Sequence, residues 1–276
     1  MNQAMINSAV TMGQLQQQLD TIGDNLANAN TTGFKRRDTS FNDLLFQQVD
    51  NLSRDEFEMG RDTPNGIRRG SGAGVSQTAV RFEQGSINET GRELDIALTE
   101  PGYFFELEPG DDGDRRFTRD GAFYFSPNPE DETENFVVNH QGDYLLDEAG
   151  DPVVMSSEYS DFTIYEDGTI EGVLEDGETE DVAQLQLVNI THPQHLESQG
   201  ENNFVFGDLD AVGLEIDDVL DEAAGTEVFQ QGALESSNVD MGREMTSMLE
   251  AQRSYQMNSR AADISNQMQE MVSNLR

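Results

Sequence analysis

Met5, Met12, Leu19 and Leu26 stand seven residues apart at the start of the chain, and Leu15, Ile22 and Ala29 repeat that spacing three residues further on. Ser8 is the one weak position in the second row. A seam sustained over more than three heptads predicts an amphipathic helix that packs along a second helix in coiled-coil fashion. Over residues 3–30 such a helix is about 40 Å long. Asn28, Asn30 and Gly33 predict its stop, because Asn and Gly tolerate the left-handed backbone of a C-terminal cap.

The other end predicts a second helix. Ser237 or Asn238 is placed to cap it, with Asp240 near the positive end of its dipole. Its apolar stripe begins with Met241, Met245, Met248 and Tyr255 and drifts to Met257, Ala261, Ile264, Met268, Met271 and Leu275. No Pro and no Gly after Gly242 interrupts it, so it can run about 38 residues, or roughly 57 Å. A methionine stripe at helical spacing reads as a packing surface, not a cofactor box.

Between the helices the pattern is β. Phe117-Thr118-Arg119 leads to Ala122–Phe125, and Phe136-Val137-Val138 and Tyr144-Leu145-Leu146 flank the turn Asn139–Gly142. Thr163-Ile164-Tyr165 and Thr169-Ile170 flank Asp167-Gly168, a short-hairpin signal. Val182–Ile190 continues the alternation. Residues 59–76 hold Gly60, Pro64, Gly66, Gly70, Gly72 and Gly74 and read as an extended or loop segment. The expected fold is α+β. It has a helix over 1–34, an extended glycine-rich linker or hairpin over 35–85, a mainly antiparallel β-domain over 86–234 and a helix over 235–276.

Charge separates the same parts. The 276 residues carry 54 acids against 16 Lys and Arg, a formal charge of −38. Residues 1–40 balance Asp20, Asp24 and Asp38 with Lys35, Arg36 and Arg37. Residues 236–276 nearly balance Asp240, Glu244, Glu250, Asp263 and Glu270 with Arg243, Arg253, Arg260 and Arg276. The middle therefore holds nearly all the excess, with no Lys or Arg between Arg119 and Arg243. Such a balance disfavours nucleic acid and anionic membrane surfaces as partners. Neutral amphipathic ends and a self-repelling middle instead point to identical chains packed through their ends, as a rod or tube. Lys35 is the only lysine, and an arginine-rich, acid-rich surface suits high salt or high pH.

There is no cysteine, which removes disulfides, thiolate metal sites and a thiol nucleophile. His192 and His195 form an H-x-x-H pair interrupted by Pro193, a poor metal site. Asp111-Asp112-Gly113-Asp114 lacks calcium-loop spacing. No nucleophile elbow or phosphate loop is present, and the chain has no Trp. The residues predict no enzyme, no metal and no cofactor; an acidic carbohydrate-active enzyme and a calcium-binding module are the readings of other classes. No stretch is apolar enough to span a membrane. Met1–Leu19 lacks the basic start and apolar run of a secretory signal, so these signals alone predict a soluble cytoplasmic protein.

Asp24-Asn25-Leu26-Ala27-Asn28-Ala29-Asn30-Thr31-Thr32-Gly33-Phe34-Lys35 resembles the N-terminal signature of the bacterial flagellar rod and hook proteins. Ser237-Asn238-Val239-Asp240, Glu244-Met245, Ala251-Gln252-Arg253-Ser254-Tyr255 and Asn258-Ser259 resemble the matching C-terminal end. Between them Gln84-Gly85-Ser86, Leu94–Leu98, Gly102-Tyr103-Phe104, Phe117–Gly121 and Gly142–Asp147 follow the family order. Within the family, the stretch Gly70–Val75 is similar to that of the distal rod protein and of the Gram-positive hook–basal-body proteins.

The resemblance implies a structural subunit of the basal-body rod, needed for flagellum assembly and swimming, with a proximal rod or hook subunit as the alternative. Its terminal helices would form an inner tubular layer and its β-domain an outer one. The implied partners are further copies of the chain, other rod and hook proteins, and the flagellar export apparatus, which would deliver it to the basal body without a cleaved signal peptide. The residues expected to carry assembly are Met5, Met12, Leu15, Leu19, Ile22, Asn25, Leu26, Asn28, Asn30, Thr32, Gly33 and Phe34 at one end. At the other end they are Asn238, Val239, Met245, Met248, Gln252, Arg253, Tyr255, Ile264, Met268, Met271 and Leu275.

Overall fold

A computed structural model describes residues 3–43, 47–49, 67–69, 73–110, 113–129, 131, 133–174, 176–200, 202–209, 213–223 and 226–274. Leu275 and most of the glycine-rich stretch, including Gly60, Pro64, Gly66, Gly70 and Gly72, lie outside them. The described residues divide between two compact units, one drawn from 1–26, 37–79 and 241–276 and the other from 27–36 and 80–240.

The first unit contains both long helices, Gln3–Ala27 and Met241–Asn274. It also contains strands of the 35–85 segment. Arg37–Asp43 pairs with Ala73–Val80, and Gln47–Val49 runs antiparallel to Ile67–Arg69. In the N-terminal helix the seam residues Met5, Met12, Leu15, Leu19 and Leu26 are half-buried and Ile22 is buried. Asn25 is 1% exposed and ties this helix to the following strand. Its Nδ2 donates to Arg37 O at 2.8 Å, and Arg37 N donates to its Oδ1 at 2.9 Å. Such a reciprocal pair satisfies a backbone donor and acceptor at the first residue of the strand.

The N-terminal helix ends three residues earlier than its seam suggests. Asn28–Asn30 form a turn in which Thr31 N bonds Asn28 O at 3.1 Å. Only Gly33 of the three expected stop residues takes the left-handed conformation, at φ 67°. The C-terminal helix is 34 residues long and begins at Met241, so neither Ser237 nor Asn238 caps it.

Its covered row also differs from expectation. Glu244, Ala251 and Ser265 are buried on one heptad row whose other member, Asn258, is half-buried, as are Ser247, Met248 and Ser254 beside it. The large apolar side chains Met241, Met245, Leu249, Tyr255, Met257, Ile264, Met268 and Met271 are exposed, Met257 by 65%. At 3.6 residues per turn, Met257, Ile264 and Met271 lie roughly 100° round the helix from the buried row, and Met268 about 60° from Ser265. The covered side carries small and polar side chains with Met248 beside them, while the other described methionines of the helix are exposed. Among the described residues, no helix is long and apolar enough to cross a membrane.

The second unit is antiparallel β, as its alternation predicts. Its largest sheet orders six strands: Leu196–Gly200, Asn203–Phe206, Arg116–Thr118, Tyr103–Leu107, Leu187–Ile190 and Leu220–Glu222. Both faces of its central strands are buried. Alternate side chains of a strand point to opposite faces, so Phe105, Leu107 and Leu187 enter one apolar cluster while Phe104, Val188 and Ile190 enter another. Phe105 meets Phe123 edge-to-face at 5.2 Å in the first. Phe82 sits edge-on to Phe104 and Phe204 in the second.

Two three-stranded sheets extend the first cluster. Tyr124–Pro127, Glu134–Val138 and Val154–Ser156 form one, and Tyr159–Ile164, Thr169–Leu174 and Thr179–Gln184 the other. The hairpin at Asp167-Gly168 closes as its dipeptide predicts, with Gly168 at φ 87° and Ile164 opposite Ile170. The H-x-x-H pair brackets a single 3-10 turn, Pro193–His195, with His192 just before it and the ring centroids 6.4 Å apart.

Candidate functional site

The two terminal signatures meet inside the second unit. Residues 32–36 and 235–238 converge there on Glu83–Ser86 and on Arg119-Asp120. Gly33 N donates to Glu235 O at 2.9 Å, and Ser236 N donates to Ser86 O at 2.8 Å. The turn at Gly33 lies directly on the backbone beneath it: a Cβ there would sit 2.6 Å from Asp120 N. Thr32 Oγ1 donates to Asp120 Oδ1 at 2.9 Å, while Asn202 Nδ2 donates to Thr32 O at 2.7 Å. Asn202 is itself left-handed, at φ 66°, a conformation that Asn adopts more readily than most residues. Phe34 is buried next to this turn in the chain.

At the centre is an ionic cluster. Lys35 Nζ lies 2.6 Å from Glu235 Oε1, and Arg119 Nε lies 2.9 Å from Glu235 Oε2. The two cationic side chains are 0% exposed and that of Glu235 is 2% exposed. Backbone groups complete the shell: Gly85 N donates to Glu235 Oε1 at 2.7 Å, Lys35 Nζ to Glu83 O at 3.0 Å and Arg119 Nη2 to Glu100 O at 3.1 Å. The Arg119 guanidinium lies 5.7 Å from the centroid of the Phe104 ring. Gly85 has no room for a side chain, since a Cβ would overlap the Ser236 carbonyl.

Two cations share one carboxylate, and the proton equilibria follow from that ratio. Burial, and then repulsion from Arg119, outweigh the attraction of Glu235 and bring the Lys35 ammonium down to about 8. Burial alone would raise the Glu235 carboxyl. Arg119 and Lys35, with hydrogen bonds from Lys35 and Gly85, override it and hold the group below its ordinary value. Burial likewise pulls Arg119 down against the pull of Glu235. It pushes Asp120 up despite the bonds from Thr32 and Ala122.

Asn238 closes the outer side. Its Oδ1 accepts from Arg36 N at 2.8 Å, and its Nδ2 donates to Arg81 O at 2.8 Å and Glu83 O at 2.9 Å. Arg81 N donates to Arg36 O at 2.8 Å. The expected helix cap is thus a clamp holding residue 36 against residues 81–83.

Of the residues the sequence singles out, Thr32, Gly33, Phe34 and Asn238 are brought together here. Asn28 is half-buried and Asn30 exposed in the preceding turn, and Val239 is half-buried. Met245, Gln252, Arg253, Tyr255, Ile264, Met268 and Met271 are exposed along the C-terminal helix and do not join the cluster. Sequence reasoning passed over Glu235, Arg119, Asp120 and Asn202 as site residues, and Lys35 outside its motif. The signals were present: Lys35 is the only lysine, and Arg119 is the last basic residue before a long acidic run. Among the described residues, no group of three His, Asp or Glu side chains is arranged to hold a metal ion.

Three stretches match known families. Residues 6–35 match the family described as flagella basal body rod protein, residues 99–172 the flagellar hook protein FlgE/F/G D1 domain, and residues 230–275 the flagellar basal body rod FlgEFG protein C-terminal. The outer two include the segments that meet at Glu235. The chain is 38% identical to the flagellar hook-basal body complex protein FlhP of Bacillus subtilis (strain 168), over 100% of both chains. It is 32% identical to the flagellar basal-body rod protein FlgG of Buchnera aphidicola subsp. Acyrthosiphon pisum (strain APS), over 93% of each. To the FlgG of Bacillus subtilis (strain 168) it is 30% identical over 96% of each. With both terminal signatures matched and full-length relatives of these names, the chain belongs to the flagellar basal-body rod and hook protein family and is a structural subunit of the flagellum.

Proposed function

We propose that this subunit builds the axial tube of the basal body through its terminal helices, copy against copy and against other axial proteins. The observation that carries this is the exposed row Met257, Ile264, Met268 and Met271 on a helix whose covered row is made of small and polar residues. Large apolar side chains aligned in water on one helix mark a surface that association would bury. The near-neutral ends support dense packing there, and the acidic middle supports an outward position for the β-rich unit. In this reading residues 1–34 and 235–276 form the inner layer, with Met5, Met12, Leu15, Leu19, Ile22 and Leu26 facing partner helices. Residues 35–85 form a hairpin or linker, and 86–234 form the outer domain.

The higher identity to FlhP than to FlgG of the same Bacillus subtilis strain favours a hook–basal-body role over that of FlgG itself. The chain would reach the basal body through the flagellum's own export apparatus. Deleting the gene should abolish filaments and swimming, and a tagged subunit should lie in the axis of isolated hook–basal bodies. Fully flagellated, motile deletion cells would overturn the assignment.

A further inference from the structure

Lys35 and Arg119 form a buried socket with two positive charges, and the carboxylate that pairs with both belongs to Glu235. That residue is 200 positions after Lys35 and 116 after Arg119. We propose that Glu235 is a chain-completion latch: the N-terminal turn and the C-terminal segment of this unit dock in one cooperative step that waits for its carboxylate.

Three features of the cluster lead to this reading. First, without Glu235 the closed socket would hold two like charges out of water, which costs more than leaving it open. Second, the socket has donors to spare: Arg119 Nη1 is buried without a hydrogen-bond partner even with the carboxylate in place, so loss of Glu235 would leave further buried donors unmet. Third, Glu235 contributes backbone as well as side chain. Its O accepts from Gly33 N, its Oε1 accepts from Gly85 N, and its strand Ala233–Glu235 lies antiparallel to Ile87–Glu89. Placing one residue therefore satisfies the turn at 33, the loop at 83–86 and the guanidinium of 119 together. Chains emerge from synthesis N-terminus first, so the socket residues are present well before their anion. The turn at 33 and the segment 235–238 are then fixed only in a nearly complete chain.

Hydrogen exchange on the full-length, unmodified monomer tests the cooperativity directly. The amides of Gly33, Gly85 and Ser236 should open with one common urea dependence, and openings that separate along the urea axis would overturn the latch. A double-mutant cycle tests the charge argument. Glu235→Gln should lower the folded-to-unfolded ratio by roughly 10²- to 10³-fold, the usual cost of stripping one partner from a buried pair. Adding Lys35→Met should recover at least about tenfold of that loss by removing one stranded cation. Additive losses in the double variant would mean ordinary packing and would overturn the proposal. If Glu235→Gln does not fold at all, the exchange experiment on the unmodified chain still decides. Neither measurement involves polymerisation, so the outcome is independent of the axial-tube reading.

Discussion

The carboxamide of Asn238 accepts the backbone N–H of Arg36 at 2.8 Å across 202 residues of sequence. The same side chain donates to Arg81 O and Glu83 O, so one residue holds position 36 of the N-terminal signature against residues 81 and 83. Asn238→Ala should cost about 1–2 kcal/mol, chiefly because the Arg36 N–H loses its acceptor in a partly buried place. Asn238→Asp keeps the acceptor but aims a carboxylate at two carbonyls, and should be at least as damaging. Urea unfolding of both variants checks this; a milder loss in the Asp variant would count against the two-donor geometry.

Gly33 is constrained twice, by φ 67° and by the backbone of Asp120. Gly33→Ala should destabilise the β-rich unit by about 1–3 kcal/mol. Gly33→Val should cost more, since a β-branched residue resists positive φ. Swimming should fail in the Val variant before the β-rich unit itself unfolds. Normal motility at wild-type subunit levels would show that this corner does not set assembly geometry.

Lys35 gives the protein an alkaline signature of unusual sign. Its partners are Glu235, Arg119 and the Glu83 carbonyl, and its folded value of about 8 lies below the ordinary 10.5. Between those values the unfolded chain binds the extra proton, so stability rises with pH across about 8 to 10.5. The gain should approach ~3 kcal/mol. Because there is no second lysine, the difference between wild type and Lys35→Met over this window isolates the group. Glu235 governs the acid side with the usual sign: its contribution is present above the ordinary carboxylate value and is lost as pH falls through its lowered one. A stability difference between wild type and Lys35→Met that is the same at pH 7.5 and pH 10 would contradict the assigned direction.

The exposed face of the C-terminal helix separates folding from assembly. Met257 and Ile264 are 65% and 56% exposed, so Met257→Glu and Ile264→Glu should move monomer stability by no more than about 0.5 kcal/mol. The same changes place charges in the proposed interface and should block polymerisation and swimming. Sedimentation of the purified variants beside a motility assay reads both; polymerisation at wild-type concentration would rule out this face as the contact.

Salt should act on the acidic middle. The screening length falls from roughly 8 Å at 0.15 M to roughly 3 Å at 1 M. Repulsion within and between the acidic units should weaken accordingly, raising both the melting temperature and self-association between 0.05 and 2 M NaCl. The helical ends, nearly neutral, respond through apolar burial alone. A flat response of the β-rich unit would remove the salt-adapted interpretation of the composition.

The sequence by itself determined the parts whose signals are local. The heptad seam marked the N-terminal helix to within a few residues, alternation marked the antiparallel strands, and Asp167-Gly168 marked its hairpin, because helix and strand periods repeat within ten residues or so. The terminal motifs placed the chain in its family for the same reason. Only the tertiary structure decided which carboxylate among 54 acids enters the socket. Nothing near Glu235 in sequence distinguishes it; its role exists because folding brings Lys35, Gly85 and Arg119 to it from distant positions. The covered side of the C-terminal helix was equally hidden. Hydrophobicity pointed to the methionines, yet Glu244, Ala251 and Ser265 are the buried row. The covered row is made of residues that carry little apolar signal, while Met257, Ile264, Met268 and Met271 carry that signal and stay exposed in the single chain.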